Sequence, residues 1–386
     1  MGSSATVIGG GIGGLAAAIG LHRIGWHVTV VERAATLADA GAGISLAANG
    51  LRALDELGVG DAVRRAARGQ YRGGTRTPDG SWLTRMDGAA LERAVGTPIV
   101  GIRRATLHRL LREALPAETL LTGSEAGRVR RTGPGTVRVD CGERALDADL
   151  VVAADGIGSR VRGLLFPDHP GPVHSGSTVL RALTEDPVEL PTDFELTWGR
   201  GAEFGHIALQ DGRAEWHAVL GLPQGTRFAD PLGELRRRFG DWHEPVPALL
   251  AATRPAAVLH HDIGELRTPL PSYTVGRIAL LGDAAHAMTP YLGQGACQAL
   301  EDAVALAAAL ATGPTVDTAL ARYDTERRPR SQRVARAARQ AGRMGQQLSH
   351  PVAVALRNTA MRLTPSRAAT RMILRHHRWV PPRLNG

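Results

Sequence analysis

The sequence of 386 residues predicts an α/β fold in which an antiparallel sheet is inserted into a parallel one and a helical segment follows. Residues 5–8 and 27–32 have the pattern of buried strands, and a glycine-rich turn and a helical stretch at 15–24 lie between them. This β-α-β order favours a parallel sheet. Between 178 and 261 apolar and polar residues alternate, which indicates a mostly antiparallel sheet with one covered face.

Later elements indicate that the second domain interrupts the first. Residues 71–96 are polar and rich in Gly and Pro, whereas 277–283 restore the pattern of a buried strand and lead to an Ala/Leu-rich helix at 295–310. Residues 352–363 and 366–379 have amphipathic helical patterns. We therefore expect a first domain at 1–70, 100–172 and 275–325, a second at 71–99 and 173–274, and a C-terminal Arg-rich helical segment at 326–386.

Charge is distributed unevenly along the chain. All 46 basic residues are Arg, and 15 of them lie between Arg322 and the C-terminus, where only Asp324 and Glu326 are acidic. The remaining 31 Arg face 35 acidic residues, so the body is mildly acidic. A nucleic-acid-binding domain normally has its basic face on the folded body, and we therefore expect no nucleic-acid partner. The lack of Lys excludes Schiff-base chemistry and a P-loop lysine.

Cysteine content and hydropathy favour a cytoplasmic protein. Cys141 and Cys297 are far apart in the sequence and do not suggest a disulfide scaffold. No apolar run is long enough to span a bilayer, and no signal peptide precedes the first strand. No group of His, Asp and Cys has the spacing of metal ligands, so we expect no metal site.

The glycine-rich turn predicts dinucleotide binding. Gly9, Gly11 and Gly14 form a Gly-x-Gly-x-x-Gly pattern between strand and helix, and Glu32 follows the next strand. Such glycines let the backbone turn tightly and approach a pyrophosphate at the N-terminus of the helix. An acidic residue in the position of Glu32 can accept hydrogen bonds from a ribose diol. Together these features indicate a Rossmann-like domain.

Two further motifs indicate which dinucleotide binds. Residues 152–162 (VAADGIGSRVR) and 282–295 (GDAAHAMTPYLGQG) resemble the Asp-Gly and Gly-Asp motifs of the class A, single-component flavin-dependent aromatic hydroxylases. The resemblance implies a glutathione-reductase-type domain that binds FAD, with NADPH or NADH as co-substrate. It also implies that O2 adds to the C4a atom of reduced flavin and that the resulting hydroperoxide hydroxylates or epoxidises a substrate.

The same resemblance implies the cofactor site. The residues expected to bind FAD are Gly9, Gly11, Gly14, Glu32, Arg33, Gly43, Ile44, Arg104, Asp155, Gly282, Asp283, Pro290, Gly293, Gln294 and Gly295. The candidate catalytic residues among them are Pro290, Gly293, Gln294 and Gly295. The last three begin a helix, whose unpaired N–H groups and dipole would stabilise negative charge on reduced flavin. Asp283 suits a ribityl hydroxyl of FAD or a cap of the next turn, and His286 is expected to bond structurally.

The resemblance is to the branch that includes salicylate, hydroxybenzoate and urate hydroxylases and zeaxanthin epoxidase. It implies a small aromatic or natural-product substrate, held by residues of the antiparallel sheet. The candidate substrate residues are Arg181, Phe204, His206 and Trp216. Neighbours in a strand point to opposite faces, so Trp216 and His217 cannot both face the flavin.

Other functions and partners remain open from the sequence. A flavin-dependent reductase or dehydrogenase, or a non-catalytic FAD-containing binding protein, could use the same scaffold. We favour a C-terminal segment that forms an arm over the FAD domain, with docking to an anionic membrane surface as the alternative. The protein is expected to be a monomer or a homodimer.

Overall fold

The computed structural model describes residues 2–37 and 42–384. Its strands, in chain order, are β1 (Ser4–Ile8), β2 (His27–Val31), β3 (Gly43–Leu46), β4 (Arg68–Gln70), β5 (Arg72–Arg76), β6 (Trp82–Asp87), β7 (Ile99–Arg103), β8 (Leu120–Leu121), β9 (Val129–Arg131), β10 (Val137–Cys141), β11 (Arg144–Ala148), β12 (Leu150–Ala153), β13 (Val173–Leu183), β14 (Phe194–Trp198), β15 (Ala202–Ala208), β16 (Ala214–Gly221), β17 (Leu259–Glu265), β18 (Thr274–Val275) and β19 (Ile278–Leu280).

The helices follow the same numbering. They are α1 (Ile12–Arg23), α2 (Ala48–Glu56), α3 (Gly60–Ala66), α4 (Gly88–Val95), α5 (Arg104–Glu113), α6 (Arg160–Leu165), α7 (Pro231–Phe239), α8 (Val246–Ala251), α9 (Asp283–His286), α10 (Gly295–Thr312), α11 (Val316–Met344), α12 (Pro351–Leu363) and α13 (Ser366–His377). Short 3₁₀ turns lie at Ala117–Thr119, Pro255–Ala257 and Pro290–Leu292.

A six-stranded sheet forms the centre of the first domain, in the order β18-β19-β12-β1-β2-β8. Its neighbouring strands run parallel, except for β18 and β19. Helices α1 and α10 pack against each other beside this sheet, and α11 packs on α10. The strands β1, β12 and β19 are almost continuously buried, as apolar strands of a covered parallel sheet must be.

A second sheet has seven strands in the order β17-β13-β16-β15-β14-β5-β6. Its neighbouring strands are antiparallel except for β5 and β14. Helices α7 and α8 cover one face, where Leu232, Leu235 and Leu249 pack with strand side chains in a second apolar core. The opposite face lies toward the first domain, because β15 and β16 meet β3 there. This arrangement confirms the predicted fold class.

Helix α11 connects the two sheets. It runs without interruption through the expected boundary at 325/326, because Tyr323 and Arg327 on either side are both buried against the first domain. The hydroxyl of Tyr323 donates a hydrogen bond to the Leu280 carbonyl oxygen (2.9 Å). Just beyond the helix, Gln346 accepts one from the Ser177 hydroxyl on β13 (3.0 Å). One helix thus braces the parallel sheet and the antiparallel sheet.

The C-terminal segment packs on the body of the protein. Helices α12 and α13, at the positions that the amphipathic pattern predicted, lie against β6, and α13 also meets α2 and α4. Beyond α13, Trp379 packs against the main core, and its carbonyl oxygen accepts a hydrogen bond from Arg52 on α2 (2.5 Å). Within residues 2–37 and 42–384, no helix has the length and apolar character that a bilayer crossing requires.

Candidate functional site

The glycine-rich turn between β1 and α1 has the predicted tight geometry. Gly9 has a φ of +106°, which favours glycine, and a Cβ on Gly14 would lie 1.9 Å from the Gly9 carbonyl oxygen. At Gly11, by contrast, no heavy atom of the described residues lies within 4 Å of a built Cβ. The N-terminus of α1 therefore opens onto space in which a phosphate could approach the backbone.

Two side chains brace this turn. One oxygen of Glu32 accepts a hydrogen bond from the Gly10 N–H and the other from the Ala34 N–H, both at 2.8 Å. The ring Nε2 of His108, on α5, lies 2.7 Å from the Gly10 carbonyl oxygen. Glu32 therefore holds the loop in addition to any contact with a ribose, which the sequence alone did not suggest. The adjacent Arg33 is exposed.

The Asp-Gly motif is connected to the Gly-Asp motif through Arg162. This buried guanidinium donates hydrogen bonds to the carbonyl oxygens of Ile157 (2.7 Å) and Ala284 (3.1 Å). Asp155 accepts a hydrogen bond from the Val161 N–H through one oxygen (3.2 Å). Its other oxygen, Oδ1, is buried and has no hydrogen-bond partner among the described residues. Asp155 therefore retains an acceptor that a ligand or water can use.

The Gly-Asp motif forms the turn from β19 into α9. Gly282 has a φ of +61° and precedes Asp283, which is the first residue of α9 and is exposed. The buried carboxylate of Asp302, on α10, accepts a hydrogen bond from the Gly282 N–H (3.0 Å) and lies 2.5 Å from His286 Nε2. His286 thus has the structural role expected for it.

The chain next forms the loop that the family motif places at the flavin. Pro290 begins a 3₁₀ turn, Gly293 has a φ of +60°, and Gly295 is the first residue of α10. Pro290 and Gly293 are exposed, whereas Gln294 is buried. A Cβ built on either Gly293 or Gly295 meets no heavy atom of the described residues within 4 Å. Backbone N–H groups at the N-terminus of α10 are therefore accessible to a ligand.

The antiparallel sheet presents charged side chains toward the FAD domain. Arg181 on β13 lies opposite His217 on β16, so the two side chains share a face. Burial and the charge of Arg181 lower the pKa of Arg104, against the effect of Asp283, so these three groups lie near one another. The face also approaches β3, since a Cβ on Gly43 would lie 2.8 Å from the Glu215 Cβ. The close approach of the two domains therefore requires glycine at Gly43.

His217 lies between two carboxylates. Its Nδ1 is 3.5 Å from Glu215 and its Nε2 is 3.9 Å from Glu203. Burial alone would lower the pKa of His217, but these two carboxylates outweigh it and raise that pKa. Burial raises the pKa of Glu203, which accepts a hydrogen bond from Trp198 Nε1 (2.6 Å). The two carboxylates therefore favour the protonated form of His217, and the cluster contains a group that can hold a proton.

Three of the four candidate substrate residues lie on the other face of the sheet. Phe204 and Trp216 stack with ring centroids 5.5 Å apart, inside the core formed with α7 and α8. His206 pairs with Trp216 across the strands and bonds to Thr192. Their assignment to the substrate cavity is therefore corrected, because strand alternation turns them away from the FAD domain. Arg181 keeps the expected orientation.

Tyr291 is a site residue that the candidate set omitted, whereas the sequence already offered His217 as the alternative to Trp216. Alternation puts His217 and Trp216 on opposite faces but does not say which face the helices cover. Tyr291 lies inside the Gly-Asp motif, and its hydroxyl bonds to Ser177 (3.1 Å) and Gln346 (2.9 Å). Nothing local to the sequence around Tyr291 reveals these distant partners.

A family model described as an FAD binding domain matches residues 3–338. The chain belongs to this family. It is an FAD-dependent monooxygenase of the class A flavin hydroxylase type, as its curated relatives are also monooxygenases and hydroxylases. The geometry agrees with FAD as the cofactor: the glycine turn leaves room at Gly11, Asp155 has a free buried acceptor, and α10 opens its N-terminus.

Similar proteins cover nearly the whole length of this monooxygenase. It is 36% identical over 348 residues to an aurachin C monooxygenase/isomerase of Stigmatella aurantiaca, covering 89% of this chain and 90% of that one. It is 38% identical over 353 residues to a 3-amino-4-hydroxybenzoate 2-monooxygenase of Streptomyces platensis, covering 87% of both. The solved structure of Klebsiella pneumoniae HpxO with FAD and uric acid superposes with a TM-score of 0.90 at 26% identity, covering 97% of this chain and 96% of that one.

Proposed function

We propose that the monooxygenase uses NADPH or NADH and O2 to hydroxylate or epoxidise a small aromatic or natural-product substrate. Bound FAD would supply the redox chemistry, with reducing equivalents from the nicotinamide, by which one oxygen atom of O2 enters the substrate and the other leaves as water. The observation that carries the proposal is the pair Arg181 and His217 on the sheet face toward the FAD domain, where the charge of Arg181 acts on Arg104.

The cofactor roles in this proposal follow the geometry of the motifs. The turn of Gly9, Gly11 and Gly14 receives the pyrophosphate, and Glu32 and Arg33 lie toward the ribose. Asp155, Gly282, Asp283 and Arg104 hold the middle of the dinucleotide, with Gly43 and Ile44 beside it on β3. The N–H groups at Gly293, Gln294 and Gly295 stabilise negative charge on the reduced ring, and Pro290 shapes the approach.

The substrate wall has a specific chemical character. Arg181 and Arg104 supply positive charge, and His217 with its two carboxylates supplies a group that can accept or donate a proton. Such a wall suits an aromatic ring that bears an ionisable hydroxyl, carboxyl or ring N–H, because removal of a proton makes the ring richer in electrons. Relatives named for an aminohydroxybenzoate and for urate support this substrate class.

Oxygen incorporation tests the proposal directly. Purified holoenzyme is incubated with NADPH or NADH and a panel of hydroxybenzoates, purines and quinolones under ¹⁸O2, and nicotinamide oxidation and product mass are recorded. We expect one substrate class to accelerate nicotinamide oxidation and to gain one ¹⁸O atom. Oxidation of substrate without incorporated oxygen would instead identify a reductase or dehydrogenase, and a flavin that neither nucleotide reduces would identify a binding protein.

Partners and location remain proposals of the same kind. We infer a monomer or homodimer without a nucleic-acid partner, because the acidic body offers no basic face for one. A cytoplasmic location is supported by the two free cysteines, both of which are buried thiols. Light scattering of the holoenzyme, with and without nicotinamide nucleotide, measures the oligomeric state.

A further inference from the structure

The buried side chain of Gln294, in the flavin loop, is held by residues of two helices. Its Oε1 accepts hydrogen bonds from Asn49 Nδ2 on α2 (2.9 Å) and from Gln298 Nε2 one turn along α10 (3.2 Å). Asn49 and Gln298 also donate to the Glu301 carboxylate, at 2.7 and 3.0 Å. Among the described residues, Gln294 Nε2 has no hydrogen-bond partner although it is buried. Two hydrogen bonds to its oxygen therefore fix the Gln294 amide, and its nitrogen remains available as a donor.

Glu301 belongs to a buried ionic network. Arg327 binds both Glu301 and Asp302, and its Nε lies 2.7 Å from Asp302. Burial alone would raise the pKa of Asp302, but the charges of His286 and Arg327 outweigh it and lower that pKa. Buried ions of this kind require complete pairing, since an uncompensated charge is strongly destabilising. The stability of this ionic network therefore depends on the residues that shield it from water.

Residues 376–379, which we call the tail, comprise the end of α13 and the two residues after it. The tail covers this network and is hydrogen-bonded to α2 on one side and to α11 on the other. On α2, one turn after Asn49, Arg52 donates hydrogen bonds to the carbonyl oxygens of His377 (3.3 Å) and Trp379 (2.5 Å). On α11, Arg330 binds Glu301 (2.5 and 2.6 Å) and also donates to the His376 carbonyl oxygen (3.1 Å). The Arg327 guanidinium lies 5.8 Å from the centre of the Trp379 ring.

We propose that tail residues 376–379 and Asn49 are positioning elements of the flavin site, which fix Gln294 and through it the N-terminus of α10. The tail fixes the position of α2 through its hydrogen bonds with Arg52, and it shields Glu301 through its contacts with Arg330 and Arg327. Because Asn49 lies on α2 and donates a hydrogen bond to Gln294, fixing α2 also fixes the Gln294 amide. A fixed loop stabilises developing negative charge on reduced flavin more than a loop that must reorganise. The inference rests on FAD binding and not on the identity of the substrate.

The midpoint potential of bound FAD tests this inference without any substrate. It is measured by reductive titration against a reference dye in three holoenzyme variants: Asn49→Leu, Arg52→Met and Trp379→Ala. We expect each variant to lower the potential, because it should weaken the binding of reduced FAD about tenfold more than the binding of oxidised FAD. For a two-electron couple, a tenfold change corresponds to about 30 mV.

Val380→Ala is the matched control. Val380 follows Trp379 directly, but its side chain is 74% exposed, so its loss should leave the potential at the wild-type value. Unchanged potentials in Arg52→Met and Trp379→Ala, together with lower unfolding temperatures, would overturn the inference and leave the tail a purely structural role. Arg52→Met keeps an unbranched apolar stem and removes only the guanidinium, and therefore still reports on the inference if Asn49→Leu does not fold.

Discussion

Arg181 and His217 lie directly opposite each other on β13 and β16, on the face of the antiparallel sheet that approaches the FAD domain. The residue before His217 in the chain, Trp216, points to the opposite face and is fully buried beneath α7 and α8. Two neighbours in one strand thus serve different purposes: one can meet a substrate and the other stabilises the sheet.

Substitution of Arg181 or His217, on the sheet face toward the FAD domain, should impair catalysis without unfolding the protein. We expect Arg181→Met and His217→Asn each to lower kcat/KM by about tenfold or more, because a hydrogen bond to a charged group contributes about 1.5–3 kcal/mol. Steady-state kinetics with the substrate identified by ¹⁸O incorporation measures the effect. Values within twofold of wild type for both variants would show that the substrate binds elsewhere.

Trp216→Ala should have the opposite profile. Trp216 stacks on Phe204 and donates a hydrogen bond to the Thr253 hydroxyl (2.7 Å), so its truncation leaves a cavity and removes that hydrogen bond. We expect the free energy of unfolding in urea to fall by about 3–5 kcal/mol. Substrate KM, measured at a temperature where the variant is folded, should not change. A large rise in KM at unchanged stability would contradict the orientation described for this residue.

The glycine turn allows a matched pair of substitutions. Gly11→Ala adds a methyl group to open space, so we expect the apoprotein to keep its unfolding temperature while FAD binds at least tenfold more weakly. Gly14→Ala forces a Cβ against the Gly9 carbonyl oxygen and should lower both the unfolding temperature of the apoprotein and its affinity for FAD. Fluorescence titration of apoprotein with FAD and thermal unfolding provide the measurements. Equal losses of stability in the two variants would argue against a cofactor-facing surface at Gly11.

Asp302→Asn should destabilise the protein strongly. The substitution removes a buried carboxylate that Arg327, His286 and the Gly282 N–H all use, and loss of one partner of a buried ion pair costs about 3–5 kcal/mol. Because the pKa of Asp302 is lowered in the folded state, its contribution is present above the ordinary carboxyl pKa and is lost as the pH falls through the folded value. Urea unfolding at pH 7 and at pH 3, which lies below the ordinary carboxyl pKa, should therefore show a smaller pH effect in the variant than in wild type.

Acidification should release the C-terminal tail. Burial, and then the nearby charges, lower the pKa of His377 from 6.5 to about 4. The charged or titratable neighbours that act on His377 are His376, Arg52, Arg330 and Glu301. Between pH 6.5 and about pH 4, His377 is protonated when the tail is released but neutral when the tail is docked. Docking therefore weakens by up to about tenfold per pH unit as the pH falls below about 6.5.

Hydrogen exchange measures this release. Amides of residues 376–384 should lose protection between pH 7 and pH 5 after correction for intrinsic rates, and His377→Gln should lose this dependence. Equal protection of the wild-type tail at both pH values would show that His377 does not control docking.

Local features of the sequence predicted the cofactor half of the site. Steric limits on the backbone require glycine at Gly9 and Gly14, and such a requirement can be recognised from the sequence alone. The Gly-Asp and Asp-Gly motifs were found in the same way, although the bridge from Arg162 to Ala284 that joins them was not. The substrate half was predicted less well, because alternation gives two opposite faces and does not say which of them is covered.

The sequence by itself determined the fold class, the FAD-binding family and the positions of the backbone turns, because these depend on short-range sterics and hydrophobic periodicity. Only the tertiary structure decided that His217 and not Trp216 faces the FAD domain, since that depends on where α7 and α8 pack. It also decided that Asn49, Glu301 and Trp379 lie around one buried network. Their contacts join residues that are far apart in the sequence, and packing of the whole chain is what brings such residues together.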